Sequence, residues 1–259
     1  MEERDSEEST RTRASKFDFQ LFLQQLRSKK ADPVLRYIKS FLKNFTQRSF
    51  TVDEQVKIFD DFEEFIFARM AEYEPFSTMD EVSFENAKAG VEKLVMTKLF
   101  ELTYSPAIPK AKLDESHMED LRLDKILQDN YAKYPDLTAK DLDVDETLAS
   151  QGHQFIDMAA GELNKMNQFK APRAKIICLL NACKLLFQLI KSSEQHQNAD
   201  EFLPLLVYTT WKAKVKHLYS DLHYLERFSF IKTSETQYYL VSLSAAAEYI
   251  RNLDNLHSK

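Results

Sequence analysis

Glycine stands at only three of the 259 positions, Gly90, Gly152 and Gly161, and this scarcity constrains the chain more than any other feature. Tight hairpins and phosphate-cradling loops depend on glycine for positive φ or for close approach of the backbone. Sheets and nucleotide loops therefore have few places to form. Leu, Lys, Glu, Ala and Phe are plentiful instead, and the expected fold class is all-α. At 44% hydrophobic and 29% charged the chain can bury one large core or two small ones.

Apolar spacing divides the chain into helices. Residues 1–16 are charged and rich in Ser and Thr, with almost nothing to bury, and are expected to be a disordered arm. Phe17, Leu21, Leu23 and Leu26 then share one helical face. Val34, Ile38, Phe41, Leu42 and Phe45 follow behind Asp32-Pro33, read as a cap and a first-turn proline. Thr51-Val52-Asp53-Glu54 is a capping box opening a stripe through Ile58, Phe62, Phe65 and Ile66, with Pro75 stopping the helix. A fourth helix runs from about Phe84 to Tyr104. Residues 17–105 thus read as a four-helix bundle, 106–117 as a short linker, and 118–255 as a second helical region packed on the first. Its helices are expected at 118–132, 145–167, 171–193, 200–216, 217–228 and 239–253, with Thr233 to Val241 either helical or extended. Nothing at Lys259 reads as a domain stop, so the natural chain is expected to run further.

Several kinds of chemistry lack their apparatus. The net charge of −6 argues against a nucleic-acid partner. Cys178 and Cys183 lie five apart in an apolar run and read as reduced core residues. The run from Ile176 to Ile190 is interrupted and too short for a membrane span, and the N-terminus has no secretory h-region. These features place the protein in the cytosol. Asp141, Asp143 and Asp145 imitate a calcium loop, but Glu146 stands where it needs glycine and Gly152 where it needs glutamate. The histidines, His117, His153, His196, His217, His223 and His257, are scattered and read as surface or capping residues, so no metal and no cofactor are expected. Trp211, Lys212, Lys214, Lys216 and His217 form a small basic cluster that reads as a solvated helix face. No hydrolase or nucleotide-binding motif is present, and covalent catalysis has no support.

What remains is Asp200-Glu201-Phe202-Leu203-Pro204-Leu205-Leu206-Val207-Tyr208, followed thirty residues on by Tyr238-Tyr239. Asp200 reads as the N-cap of its helix, with Pro204 tolerated one turn in. That fixes an acid at a helix lip beside apolar and aromatic neighbours, an arrangement better suited to meeting a partner than to turnover.

These residues, with Tyr238-Tyr239-Leu240, Lys170-Ala171-Pro172-Arg173-Ala174-Lys175 and the stretch Gly90 to Phe100, resemble the core of the vacuolar-protein-sorting-nine (VPS-nine) domain and its preceding bundle over residues 17 to 253. The resemblance implies a guanine nucleotide exchange factor for Rab-five class small GTPases, with no covalent chemistry. It puts the family's essential acid on Asp200 and its essential tyrosine on Tyr238. Phe202, Pro204, Tyr208, Tyr239 and Val241 fall on the partner-binding surface. It also implies a monomer recruited peripherally to early endosomal membranes. The chain departs from the pattern at Val241, where the family has threonine, at Ser234, where it often has glycine, and at Lys214-Val215-Lys216, where it has an Asn-Pro-Pro-like turn. A scaffold that binds a GTPase without exchanging its nucleotide is the alternative those departures raise.

Overall fold

A computed structural model of the chain describes residues 17–193, 199–230 and 232–256. The arm expected over 1–16 lies outside the described residues. The fold is all-helical, with no strand among the described residues. The chain divides into two compact units, 1–99 and 100–259.

The first unit contains α1 (Phe19–Leu26), α2 (Asp32–Thr46), α3 (Val52–Met70) and most of α4 (Glu81–Thr103). Asp18 caps α1, its carboxylate accepting from the amides of Gln20 and Leu21 at 2.9 and 3.0 Å. The capping box at α3 forms as expected: Glu54 N–H donates to Thr51 Oγ1 at 3.4 Å, and Thr51 N–H donates to Glu54 Oε2 at 2.9 Å. Asp32 is not the cap of α2. It occupies the first turn, where its charge complements the helix dipole, and Ala31 flanks the helix with no side-chain cap. The apolar stripes meet in a core of Phe22, Ile38, Phe45, Phe59, Ile66, Met70 and Val95, each side chain contributing about 1.5–3 kcal/mol by burial.

Gly90 explains one of the three glycines. A Cβ built there would lie 2.3 Å from Cγ of the buried Phe22 ring, so only glycine admits that ring against α4. Gly90→Ala is expected to destabilise the chain by about 1–3 kcal/mol through overpacking. Urea unfolding would show the midpoint falling with little change in slope, and an unchanged midpoint would refute this packing.

The second unit holds α5 (Glu115–Lys133), α6 (Glu146–Gln151), α7 (His153–Lys165), α8 (Pro172–Ser192), α9 (Phe202–Ala213), α10 (Leu218–Phe228), α11 (Ser234–Arg251) and the single turn α12 (Leu253–Leu256). The 106–117 segment contains part of one 3-10 turn, all of a second and the start of α5. The helix expected over 145–167 is broken at Gly152, where a Cβ would meet the Leu189 methyls at 2.4 Å; α7 ends at Lys165 and a 3-10 turn follows. The expected 200–216 helix stops at Ala213, because Lys214 turns left-handed at φ 47°. Thr233 to Val241 is not extended. Thr233 Oγ1 accepts from Thr236 N–H at 3.2 Å and starts α11 five residues earlier than the expected 239.

Pro172 opens α8 in its first turn as expected, and α8 is the central helix, burying Ile176, Leu179, Ala182, Cys183, Leu186 and Ile190. Around it pack α7, α9, α10 and α11. Both cysteines are buried and free, and burial pushes their thiols up to about 11 for Cys178 and about 12 for Cys183. α10 has no side-chain cap of its own, since His217 enters it at φ 154°. Asp124 of α5 supplies one from a distance, accepting from Tyr219 N–H at 2.8 Å and Ser220 N–H at 3.2 Å.

One buried ion pair joins α8 to α10. Lys175 Nζ donates to Asp221 Oδ1 at 2.6 Å and to the Met166 carbonyl at 2.8 Å, and it sits 4.7 Å over the Tyr104 ring. Neither side chain reaches solvent appreciably. Burial pushes the Asp221 carboxyl up, against the downward pull of Lys175.

Candidate functional site

The site is built where the start of α9 meets the first turns of α11. Asp200 is exposed and lies in the 3-10 turn Ala199–Glu201 that leads into α9. It is not the N-cap expected from the sequence: Glu201 flanks the helix, with no side-chain cap hydrogen bond. The extra turn leaves the acid two residues upstream of the first residue of the helix proper. Phe202 then plunges inward and is 1% exposed. Its ring stacks on Phe187 of α8 at 4.2 Å and on Tyr238 of α11 at 6.0 Å, with Tyr239 edge-on at 6.1 Å. One buried ring therefore backs Tyr238 and lies two residues from Asp200.

Helical spacing decides what faces out. Tyr238 and Val241, three apart on α11, are 53% and 67% exposed, while Tyr239 and Leu240 between them are buried. Leu203 on α9 is 42% exposed. The exposed surface here is thus an acid with apolar side chains, and Phe202 and Tyr239, expected on the partner-binding surface, sit beneath it as supports. Burial pushes the Tyr239 phenol above its ordinary value, so it stays neutral. Pro204 and Tyr208, one turn apart on α9, are half-buried, and Lys212 lies 5.9 Å over the Tyr208 ring while pairing with Asp157 at 2.7 Å. Sequence reasoning passed over Leu203; the signal was its place between Phe202 and Leu205, which turn inward one step before and two after it.

Other expected features resolve into structure. Trp211 is 3% exposed and so is no surface aromatic for the basic cluster. Asp145 caps α6 through Thr147 N–H and Leu148 N–H, and Asp141 accepts from Thr138 N–H at 2.8 Å. Among the histidines, His117 is not on the surface. Its Nδ1 is 2.8 Å from Ser105 Oγ, and that hydroxyl donates to the buried Asp120 at 2.6 Å. Asp120 also receives His223 and a bidentate Arg227. Burial works to raise the Asp120 carboxyl, but these hydrogen bonds outweigh it and hold it below the ordinary range. The serine lies between histidine and aspartate, which is not the order of a nucleophile relay. His196 and His257 lie outside the described residues.

Among the described residues no group of His, Cys, Asp and Glu is placed to hold a metal ion, and no helix is long and apolar enough to cross a membrane.

Comparison with known proteins gives this architecture a class. The family described as the vacuolar sorting protein 9 (VPS9) domain matches residues 156–255, which contain α8 to α11 and the whole Asp200–Tyr238 surface, and a domain of unknown function (DUF5601) matches residues 36–100. Residues 156–255 thus carry a VPS9 domain. The chain is 39% identical over 242 residues to the vacuolar protein sorting-associated protein vps901 of Schizosaccharomyces pombe, covering 92% of this chain and 42% of that protein. It is 32% identical over 240 residues to the vacuolar protein sorting-associated protein 9A of Oryza sativa subsp. japonica, covering 90% and 48%. With the Rab5 GDP/GTP exchange factor of Mus musculus it shares 25% identity over 231 residues, covering 87% and 45%. The chain spans less than half the length of each of these relatives.

Proposed function

We propose that the chain is a guanine nucleotide exchange factor that accelerates GDP release from a Rab5-class GTPase. The observation that carries this reading is one ring, Phe202, backing the exposed Tyr238 two residues from the exposed Asp200. A GTPase holds GDP through its magnesium ion, its P-loop lysine and backbone amides around the phosphates. A carboxylate brought into that site acts on all three: it pairs with the lysine, repels the β-phosphate and displaces the magnesium shell. Tyr238, Val241 and Leu203 bind the switch regions in their open arrangement, which shifts the GTPase toward its nucleotide-free state. Exchange then needs no covalent step, and GTP enters by mass action. Early endosomal membranes, reached from the cytoplasm, are the proposed place of action.

A second reading is motivated by Val241, which exposes an apolar side chain where the resemblance expects threonine: a scaffold that holds the GTPase without exchanging it. Release of fluorescent GDP from a panel of Rab proteins separates the two. Saturable acceleration on Rab5-class members and little on others is the expected result, and Tyr238→Ala is expected to weaken binding roughly tenfold or more, the scale of an aromatic anchor at an interface. Tight binding without acceleration would favour the scaffold.

A further inference from the structure

The first unit carries a charge pattern that the exchange surface does not use. Between Arg27 and Arg48 stand seven bases, Arg27, Lys29, Lys30, Arg36, Lys39, Lys43 and Arg48, against one acid, Asp32, in a chain whose net charge is −6. All seven bases are exposed. α2 turns Val34, Ile38 and Phe45 into the core and presents Arg36, Lys39 and Lys43, at i, i+3 and i+7, on the opposite side. Lys30 pairs with Glu74, but Lys39, Lys43 and Arg48 have no ion-pair partner among the described residues. A solvated helix face ordinarily mixes both signs; this one does not.

We propose that the outer face of α2 is a docking surface for an anionic lipid bilayer. Clusters of four to eight Lys and Arg on an amphipathic helix are the pattern that anionic headgroups attract. The shape favours a sheet of charge over an acidic peptide. From Arg36 to Lys43 the row spans roughly 10 Å along one face of a helix, and like charges spread over one face complement a planar array of anionic headgroups. A groove of about 370 Å³ lies past the end of the row, lined by Phe41, Phe45, Phe50 and Ile58 together with Arg48, and places apolar side chains beside that one base. The next helix bounds the patch: α3 carries Asp53, Glu54, Asp60, Asp61, Glu63 and Glu64 against Lys57 and Arg69, so attraction is confined to α2 and the preceding turn. This surface belongs to a different unit from Asp200 and stands or falls separately from the exchange reading.

Cosedimentation of the full chain with phosphatidylcholine vesicles, plain or carrying about one third phosphatidylserine, tests the proposal. Binding is expected on the anionic vesicles alone and is expected to weaken steeply as salt is raised. Lys39→Glu with Lys43→Glu should lower it on the order of tenfold or more, whereas Lys110→Glu with Lys112→Glu, the same charge change at two exposed lysines of the second unit, should lower it far less. Circular dichroism of both double variants should match the unsubstituted chain, since every substituted side chain is exposed. Absence of binding to anionic vesicles, equal losses in the two variants, or binding to a soluble polyglutamate peptide in place of vesicles would each overturn it. GDP release measured without membranes should be the same for the Lys39/Lys43 variant, which keeps failure here distinct from failure of the exchange reading.

Discussion

Asp200→Asn is expected to lower GDP release from a Rab5-class GTPase by roughly 10² or more while leaving the unfolding midpoint unchanged. The first half follows from charge. The amide keeps the size of the side chain but cannot pair with a P-loop lysine as an anion, repel a phosphate or compete for magnesium, and loss of one preorganised polar contact at a phosphate or oxyanion commonly costs 10²–10³ in rate. The second half follows from position. Asp200 is exposed in a 3-10 turn ahead of α9, and Asn keeps its size and an acceptor oxygen, so the replacement should move stability by no more than about 0.5 kcal/mol. Had Asp200 been the N-cap, Asn would still have served as one, and the same substitution separates signalling charge from capping either way. A variant that unfolded early would show that Asp200 holds the local structure, and its lost activity would then say nothing of charge.

Lys175→Met is expected to destabilise the second unit by about 3–5 kcal/mol, the cost of leaving a buried carboxylate without its cation. Asp221 has no solvent to turn to, and the Met166 carbonyl loses a donor as well. Burial already raises the Asp221 carboxyl above the value it has in the unfolded chain. Without Lys175 it rises further, so the folded variant holds a proton that the unfolded chain has released, and stability falls as pH climbs through that window. The deficit should therefore shrink on acidification from pH 7 toward the ordinary carboxylate range. Lys175→Met combined with Asp221→Leu should recover much of the loss, because a packed apolar pair is often as stable as the ion pair it replaces. Urea unfolding of the three variants reads all of this. A Lys175→Met loss below about 1 kcal/mol would mean that the pair is not buried as described.

The two predictions concern opposite ends of one support. α8 carries Lys175 near its start and Phe187 near its end, and Phe187 is the ring on which Phe202 stacks. Fixing α8 against α10 thereby steadies the backing of the Asp200–Tyr238 surface.

Local rules made much of this legible. The Thr51 and Glu54 box, the Pro172 start and the dearth of glycine each act over a few residues, and each does in the structure what those residue types ordinarily do. Other features are not announced by the residue types, some for local reasons and some because a distant element decides. Asp200 looks like a cap, yet an added 3-10 turn moves the helix start past it. Tyr238-Tyr239-Leu240-Val241 has strand-like side chains and leaves helix and strand both open, and Thr233 decides for a helix ahead of them, with Phe202 receiving the aromatic face. Nothing around Lys175 in the sequence signals its burial, which Asp221, 46 residues away, makes tolerable. His117 is hidden for the same reason, its partners Ser105 and Asp120 becoming neighbours through the turn between α4 and α5. No residue in either segment announces its long-range partner.

The central claim is that the Asp200 carboxylate drives nucleotide release. Its most direct test is the rate of fluorescent GDP release from one Rab5-class GTPase, titrated side by side with the unsubstituted chain and with Asp200→Asn. The account predicts a saturable rise with the first and a nearly flat line with the second, although both bind the nucleotide-free GTPase. Equal acceleration by the two proteins would contradict it.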